Sequence, residues 1–327
     1  MKFATYTTFR GEKPRFGFII EDKIIDIIRS SIWMNEHNKD SSFLSIPSTL
    51  KLALNKWNEN FDKLIKLKQN ISDLDHSELQ INGKSISINL NDVHLLPPVP
   101  NPTSFRDFYA FEQHVKAARK LRGLDMNPDW YRIPIFYFSN ITSIYGHKEE
   151  IPYPKETKEL DFELELAIII ADGGKNIDKK DAEKFIAGYT ILNDWSARDL
   201  QREEMQMNLG PAKGKDFANS FGPFMVTPDE LKNNWENDKM NLRMTCYLND
   251  NLISDGNTND LYHSFPSMIQ RASMNVDLKA GDYIGSGTVG TGCILELRPE
   301  STGGWLKKGD TIRLEIDNIG VLENTII

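Results

Sequence analysis

The chain reads as an α+β protein in which strands dominate, and three observations carry that reading. Short apolar segments are bounded by turn residues throughout the second half. One stretch in the first half has helical periodicity. Near the end, Gly281-Asp282 and Gly309-Asp310 each follow a Leu-Lys-(Ala/Lys) run and lead into a strand-like segment, which suits a closed or folded-over β architecture. Residues 15–20 and 23–27 flank Glu21-Asp22 and predict a hairpin. Leu50, Leu54, Trp57, Phe61, Leu64 and Ile65 recur at three and four and predict one helix, with Pro47 near its start. Pro97, Pro98, Pro100 and Pro102 put four prolines in six residues, which neither a helix nor a central strand tolerates. They mark a connector between a small N-terminal α+β domain, 1–97, and a larger domain, 98–327. In the larger part the pattern predicts a helix over 108–122, a strand over 133–138, a strand over 161–171, a short helix near 179–187 and a strand over 189–194. A helix starts at Thr227-Pro228, with Thr as N-cap and Pro in the first turn.

Composition narrows the function. Of 327 residues, 39% are hydrophobic and 26% charged, and the formal net charge is −8 without any basic block, which argues against nucleic acid or an anionic membrane as partner. Cys246 and Cys293 are the two cysteines, with no CxxC, so neither a disulfide framework nor a thiolate zinc site is expected. No run has the length of a membrane span and the first residues lack the pattern of a signal peptide, so a cytoplasmic location is expected.

Glu163 and Glu165 sit at the mouth of a run, Leu164 to Ile170, that otherwise reads as a buried strand. Residues two apart on a strand share a face, about 6.6 Å apart along it. Two like charges there either face solvent at a sheet edge or are neutralised by a cation. Asp194, at the end of a strand-like run, and Asp107, just past the proline segment, are the candidate partners. Four carboxylates make an all-oxygen site, suited to Mg2+, Ca2+ or Mn2+ and not to zinc. His114 lies seven residues after Asp107, about two helical turns if one helix carries both, and is the candidate general base. Glu296, in the apolar segment 293–297 read as a strand, is placed to orient a histidine. Arg198, Gln201 and Lys215 offer donors for an anionic substrate or an oxyanion. Two other motifs carry less. Gly285, Gly287 and Gly290 match G-x-G-x-x-G, but the segment that follows reads as a strand where a dinucleotide site needs a helix. The segment from Asp255 begins like a calcium loop yet has Pro266 at its closing position.

In order along the chain, Asp107-Phe108-Tyr109 with Gln113-His114, then Leu160-Asp161-Phe162-Glu163-Leu164-Glu165, then Asn193-Asp194-Trp195-Ser196-Ala197-Arg198-Asp199-Leu200-Gln201, then Gly214-Lys215 resemble the fumarylacetoacetate hydrolase family. The resemblance covers roughly residues 98–327. It implies a mixed β-sandwich or barrel-like roll as catalytic domain, a small N-terminal domain, a homodimer, and a Mg2+ or Ca2+ ion, with Mn2+ also accommodated. By the same resemblance Asp107, Glu163, Glu165 and Asp194 are metal ligands, His114 is the base and Glu296 its partner. Arg198, Gln201 and Lys215 stabilise an oxyanion. Tyr109, Tyr137, Thr288 and, with a one-residue shift, Arg122 contact substrate. Smaller decarboxylase and acylpyruvase members carry a glutamate three residues after their histidine, where this chain has Ala117. The expected activity is metal-dependent hydrolysis of a carbon–carbon bond in a 1,3-diketone or acylpyruvate-type acid. The alternatives are a decarboxylase, isomerase or hydratase of a 2-oxo acid acting through an enolate, and a non-catalytic binding protein.

Overall fold

The computed structural model describes every residue except Ser77 and Asp238. A twelve-stranded mixed sheet forms its centre. Across it run Ser87–Asn89, Lys23–Asp26, Arg15–Ile20, Lys2–Thr7, Asn219–Val226, Ile186–Asp194, Leu164–Ile170, Tyr283–Gly285, Phe105–Phe108 and Phe136–Phe138, with two further strands branching from this path. Lys2–Thr7 pairs with Asn219–Val226, so the sheet runs through residues on both sides of the proline segment. A second, four-stranded sheet orders Asn251–Asn257, Arg243–Leu248, Thr311–Ile316 and Gly320–Thr325. The fold is the strand-rich α+β arrangement that the sequence predicts.

Alternation along Leu164–Ile170 shows how the layers pack. Leu164, Leu166, Ile168 and Ile170 join one core with Met244, Cys246, Leu314 and Leu322 of the four-stranded sheet. Ala167 and Ile169 join a second core with Trp57, Leu64 and Leu67 of the helix Trp57–Ser72. A strand covered on both faces is apolar throughout, which explains its unbroken hydrophobic run. The two Gly-Asp turns are alike in structure as in sequence. Gly281 and Gly309 have positive φ, and Asp282 and Asp310 accept the backbone N–H of Lys279 and Lys307 at 2.9 and 2.8 Å. The predicted hairpin forms, with Ile20 opposite Lys23. Among the described residues no helix is long and apolar enough to cross a membrane.

Several predicted elements differ. The helix expected over 50–65 is two, Leu50–Ala53 and Trp57–Ser72, because Lys56 between them is left-handed at φ 55°. Asp172 accepts the N–H of Trp57 at 3.0 Å and starts the second helix from a distant loop. The helix expected from 108 begins only at Glu112, and Asp107 lies on the strand Phe105–Phe108, so His114 and Asp107 do not share a helix face. The 133–138 segment is a strand only over Phe136–Phe138, since Pro134 has no N–H to give a ladder. The 179–187 helix is a 3-10 run, Lys179–Phe185. At Pro228–Asn234 another 3-10 run forms, and the Thr227 hydroxyl donates to the Met1 carbonyl at 2.9 Å instead of capping it. Residues 161–171 split into Leu160–Asp161 and Leu164–Ile170, which leaves Glu163 in the break. Glu296 lies in a single helical turn, Ile294–Leu297, and not in a strand.

Candidate metal and catalytic site

Neighbouring strands of the large sheet bring three carboxylates to one place. Glu165 pairs with Leu192, and Asp194 follows two residues later on the same face. On the other side Ala167 pairs with Gly285, and Gly285 with Asp107. Glycine is required at that middle position. A Cβ on residue 285 would lie 2.2 Å from Asp107 Oδ1 and 3.1 Å from Glu165 Oε2. Into the space left, Asp107, Glu165 and Asp194 direct carboxylate oxygens within 4.8 Å of one another, all buried.

Glu163 is held apart from this trio. Its N–H donates to Asn193 Oδ1 at 2.9 Å, and its carboxylate accepts from Arg198 at 2.8 Å and Lys215 at 2.5 Å. Lys215 also donates to Asp194 Oδ2 at 2.6 Å, which ties Glu163 to the trio. Arg198 continues to Asp161 Oδ2 at 2.8 Å and Gln201 Oε1 at 3.0 Å. Three of the four expected ligands thus converge directly and the fourth joins through a lysine. The donors expected at an oxyanion, Arg198 and Lys215, are engaged here with carboxylates.

The electrostatics divide the acids. Burial raises the Glu165 carboxyl well above its usual range, and Asp107 and Asp194 raise it further. Asp107 is raised by burial and then by Asp194. Asp194 is raised by burial despite the pull of Lys215. For Glu163, burial acts upward but Lys215 and Arg198 outweigh it and hold the group well below the carboxylate range. The oxygens Asp107 Oδ1 and Asp194 Oδ1 are buried and accept no hydrogen bond. Buried, mutually repelling carboxylates with unused oxygens fit a hard divalent cation bound through oxygen.

Beside this cluster lies a histidine–carboxylate pair. His114, 4% exposed, sits in the first turn of Glu112–Leu121, and its Nδ1 is hydrogen-bonded to Glu296. Glu296 as acceptor puts the proton on Nδ1 and leaves Nε2 as base. Glu296 Oε2 also accepts the N–H of Thr291 at 3.2 Å. The Tyr109 ring meets His114 edge-on with centroids 5.3 Å apart. His114 and Glu163 are close enough that an imidazolium at His114 lowers the Glu163 carboxyl.

The predicted substrate contacts scatter around these groups. Tyr137 donates to Asp194 Oδ2 at 2.6 Å, and the Thr288 hydroxyl approaches Glu165 Oε1 at 3.4 Å. Burial raises the Tyr109 hydroxyl, and Arg122 opposes that rise. Arg122 itself is exposed at the helix end, with Nε on the Ala118 carbonyl at 3.2 Å. Three groups went unassigned from sequence: Asp161, Asn193 and Gly285. Asp161 and Asn193 lie inside the quoted motifs. Gly285 opens the glycine motif, whose real use is close approach. Gly287 N–H donates to Glu165 Oε2 at 3.0 Å, and a Cβ on Gly290 would strike Gln113 at 2.4 Å.

Known proteins resemble this chain over most or all of its length. The oxaloacetate tautomerase fahd2 of Xenopus laevis is 31% identical over 244 residues, 72% of this chain and 69% of that protein. The oxaloacetate tautomerase YisK of Bacillus subtilis is 29% identical over 339 residues and the full length of both. Among solved structures, the maleylpyruvate hydrolase of Sphingobium sp. SYK-6 in complex with manganese(II) and pyruvate superposes with a TM-score of 0.67 at 23% identity, over 100% of this chain and 99% of the other, a likeness of fold. The profile described as fumarylacetoacetate (FAA) hydrolase C-terminal matches residues 103–327, the same stretch that supplies every carboxylate of the cluster and both members of the dyad, so the chain belongs to the fumarylacetoacetate hydrolase family.

Proposed function

We propose that this protein is a divalent-metal-dependent enzyme of keto–enol chemistry that interconverts the tautomers of a 2-oxo dicarboxylic acid of the oxaloacetate type. The observation that carries the reading is the buried His114–Glu296 pair beside three converging carboxylates that share, among the described residues, a single cation, Lys215 on Asp194. The names of the two tautomerases similar over most or all of the chain favour this substrate class. Asp107, Glu165 and Asp194 would hold a Mg2+, Ca2+ or Mn2+ ion, which would supply Lewis-acid polarisation of a 2-oxo group. His114 Nε2 removes a proton from the carbon next to the carbonyl, and Glu296 stabilises the imidazolium. The imidazolium returns that proton to the oxygen, so the step balances without water or a co-reactant. Tyr109, packed against the imidazole, narrows the space in which the acid is held.

Hydrolysis of a carbon–carbon bond in an acylpyruvate-type acid is the second reading. It is favoured by the origin of the histidine's partner, which comes from a separate turn while position 117 is alanine. In that reaction the same base takes its proton from water, and the hydroxide attacks the distal carbonyl. Product analysis separates the two. A tautomerase returns an isomer of unchanged mass, and a hydrolase yields two acids. His114→Ala is expected to lower turnover at least ~100-fold, the typical scale of general acid–base catalysis. Turnover within three-fold of wild type on either substrate class would rule out His114 as the base.

A further inference from the structure

We propose that Asp161 is a positioning residue: it ties the helical turn that carries Glu296 to Arg198, so one buried carboxylate sets the geometry of the dyad and of the Glu163 side of the site together. The inference rests on the reading of His114 and Glu296 as the acid–base pair. Asp161 is fully buried, and each of its oxygens accepts twice. Oδ1 accepts the N–H of Ile294 at 2.7 Å and of Phe162 at 2.8 Å. Oδ2 accepts the N–H of Leu295 at 3.0 Å and Arg198 Nε at 2.8 Å.

The turn Ile294–Leu297 needs such a partner. It is four residues long, and a single turn does not hold itself, because fixing its backbone costs more than its one or two hydrogen bonds return. Its first N–H groups have no acceptor within the helix, and the Cys293 side chain at the cap position accepts none of them, its thiol donating instead to Glu296 Oε1 at 3.9 Å. Asp161 supplies both acceptors from 133 and 134 residues away in sequence. Glu296 follows Leu295 directly, so the orientation of this turn fixes where its carboxylate meets His114. On the other side Arg198 is a rigid fork, with Nε on Asp161 and a terminal nitrogen on Glu163 at 2.8 Å. Every group that faces the Asp161 carboxylate is a donor. Asn at this position presents an NH2 to the two donors on one side and breaks that side of the tether without changing size.

The test combines a double-mutant cycle with amide hydrogen exchange. Asp161→Asn is expected to lower kcat at least ten-fold with KM within three-fold of wild type, and to speed exchange at Ile294 and Leu295. In the Glu296→Gln background the same change is expected to cost at least three-fold less than it does alone, because the part of its effect that passes through Glu296 is already lost and only the part through Arg198 remains. A double variant that loses the full product of the two single losses would show a general structural role and overturn the proposal. So would unchanged exchange at Ile294 and Leu295. If the wild-type protein turns over neither substrate class, the proposed function fails, and the exchange measurement still decides whether the tether exists. Should Asp161→Asn not fold, Ile294→Pro removes the donor to Oδ1 at the first position of the turn, after the extended Cys293 where proline fits, and is read by the same cycle and by exchange at Leu295 alone.

Discussion

Glu163 and Glu165 are two residues apart and the structure shifts their carboxyls in opposite directions. Glu163 meets Arg198 and Lys215 and is held ionised, and Glu165 meets two other acids and is pushed toward protonation. Their spacing gave no sign of this, because the difference comes from the neighbours that each side chain meets after folding. Asp194 joins the two groups, since its Oδ2 takes Tyr137 and Lys215 while Oδ1 stays free. Asp194→Asn keeps the shape and removes the charge. It is expected to weaken divalent-ion binding at least ~10-fold, about 1.4 kcal/mol, with the fold intact by circular dichroism. Calorimetric titration with Mg2+ or Mn2+ measures this directly, and an unchanged affinity would remove Asp194 from the ligand set. Asp107, Asp194 and His114 were legible as candidates because their residue types stand out where they occur. The role of Asp161 was not legible, since an aspartate one position before Phe162 looks like any strand-end acid until Ile294 and Leu295 fold against it.

Strand pairing and a single glycine set the form of the site at the level of elements. Tyr283–Gly285 lies between the glutamate strand and Phe105–Phe108, and its last residue has no side chain. Gly285→Ala is expected to force Asp107 or Glu165 out of position, because the new methyl would overlap Asp107 Oδ1. The prediction is loss of most divalent-ion affinity and a fall in turnover of at least ~10-fold, at a stability cost of about 1–3 kcal/mol for overpacking. Retained metal affinity in this variant would mean that the carboxylates can converge without the gap. Two of the element boundaries that sequence misplaced share one cause. Helical periodicity continues across Lys56 although the chain turns left-handed there. Apolar character continues through 293–297 although Asp161 draws that segment into a helical turn. In both places a distant carboxylate, Asp172 or Asp161, decides where a helix begins.

On the scale of the whole molecule, the N-terminal strands extend the catalytic sheet, and the helix Trp57–Ser72 covers the face from which Glu165 projects. Stability of the two parts is therefore coupled. His147 makes stability depend on pH. It accepts the N–H of Glu323 through Nδ1 at 3.2 Å, and burial, with Lys148 beside it, pushes its pKa down to about 4. The folded protein keeps His147 neutral where the unfolded chain, with a pKa near 6.5, takes up a proton. This contribution is complete above about pH 6.5, is lost as pH falls toward 4, and changes no further below that. His147→Gln is expected to flatten the loss of stability between pH 6.5 and 4, with about 1 kcal/mol less decline by pH 5. Parallel denaturant titrations of the two proteins check it, and identical slopes would refute it. Saturating Mg2+ or Mn2+ is expected to raise the thermal midpoint by roughly 3–8 °C, and EDTA to reverse this, since an ion bound a hundred-fold above its Kd adds about 2.7 kcal/mol. We also propose a homodimer, and light scattering that returns the mass of one chain would refute it.

The sequence by itself determined the strand-dominated class and the family, and it marked candidates for ligating a cation or moving a proton. These follow from composition, periodicity and local motifs, which exist before the chain folds. Tertiary structure alone decided which acids share a charge problem and which are neutralised. It also decided that Asp107 reaches the site from a strand and His114 from the helix after it, and that Glu296 is aimed by a carboxylate from another part of the chain. Coulombic and hydrogen-bond energies depend on distances of a few ångströms between residues such as Asp161 and Ile294, 133 positions apart, and register in a sheet is what sets those distances.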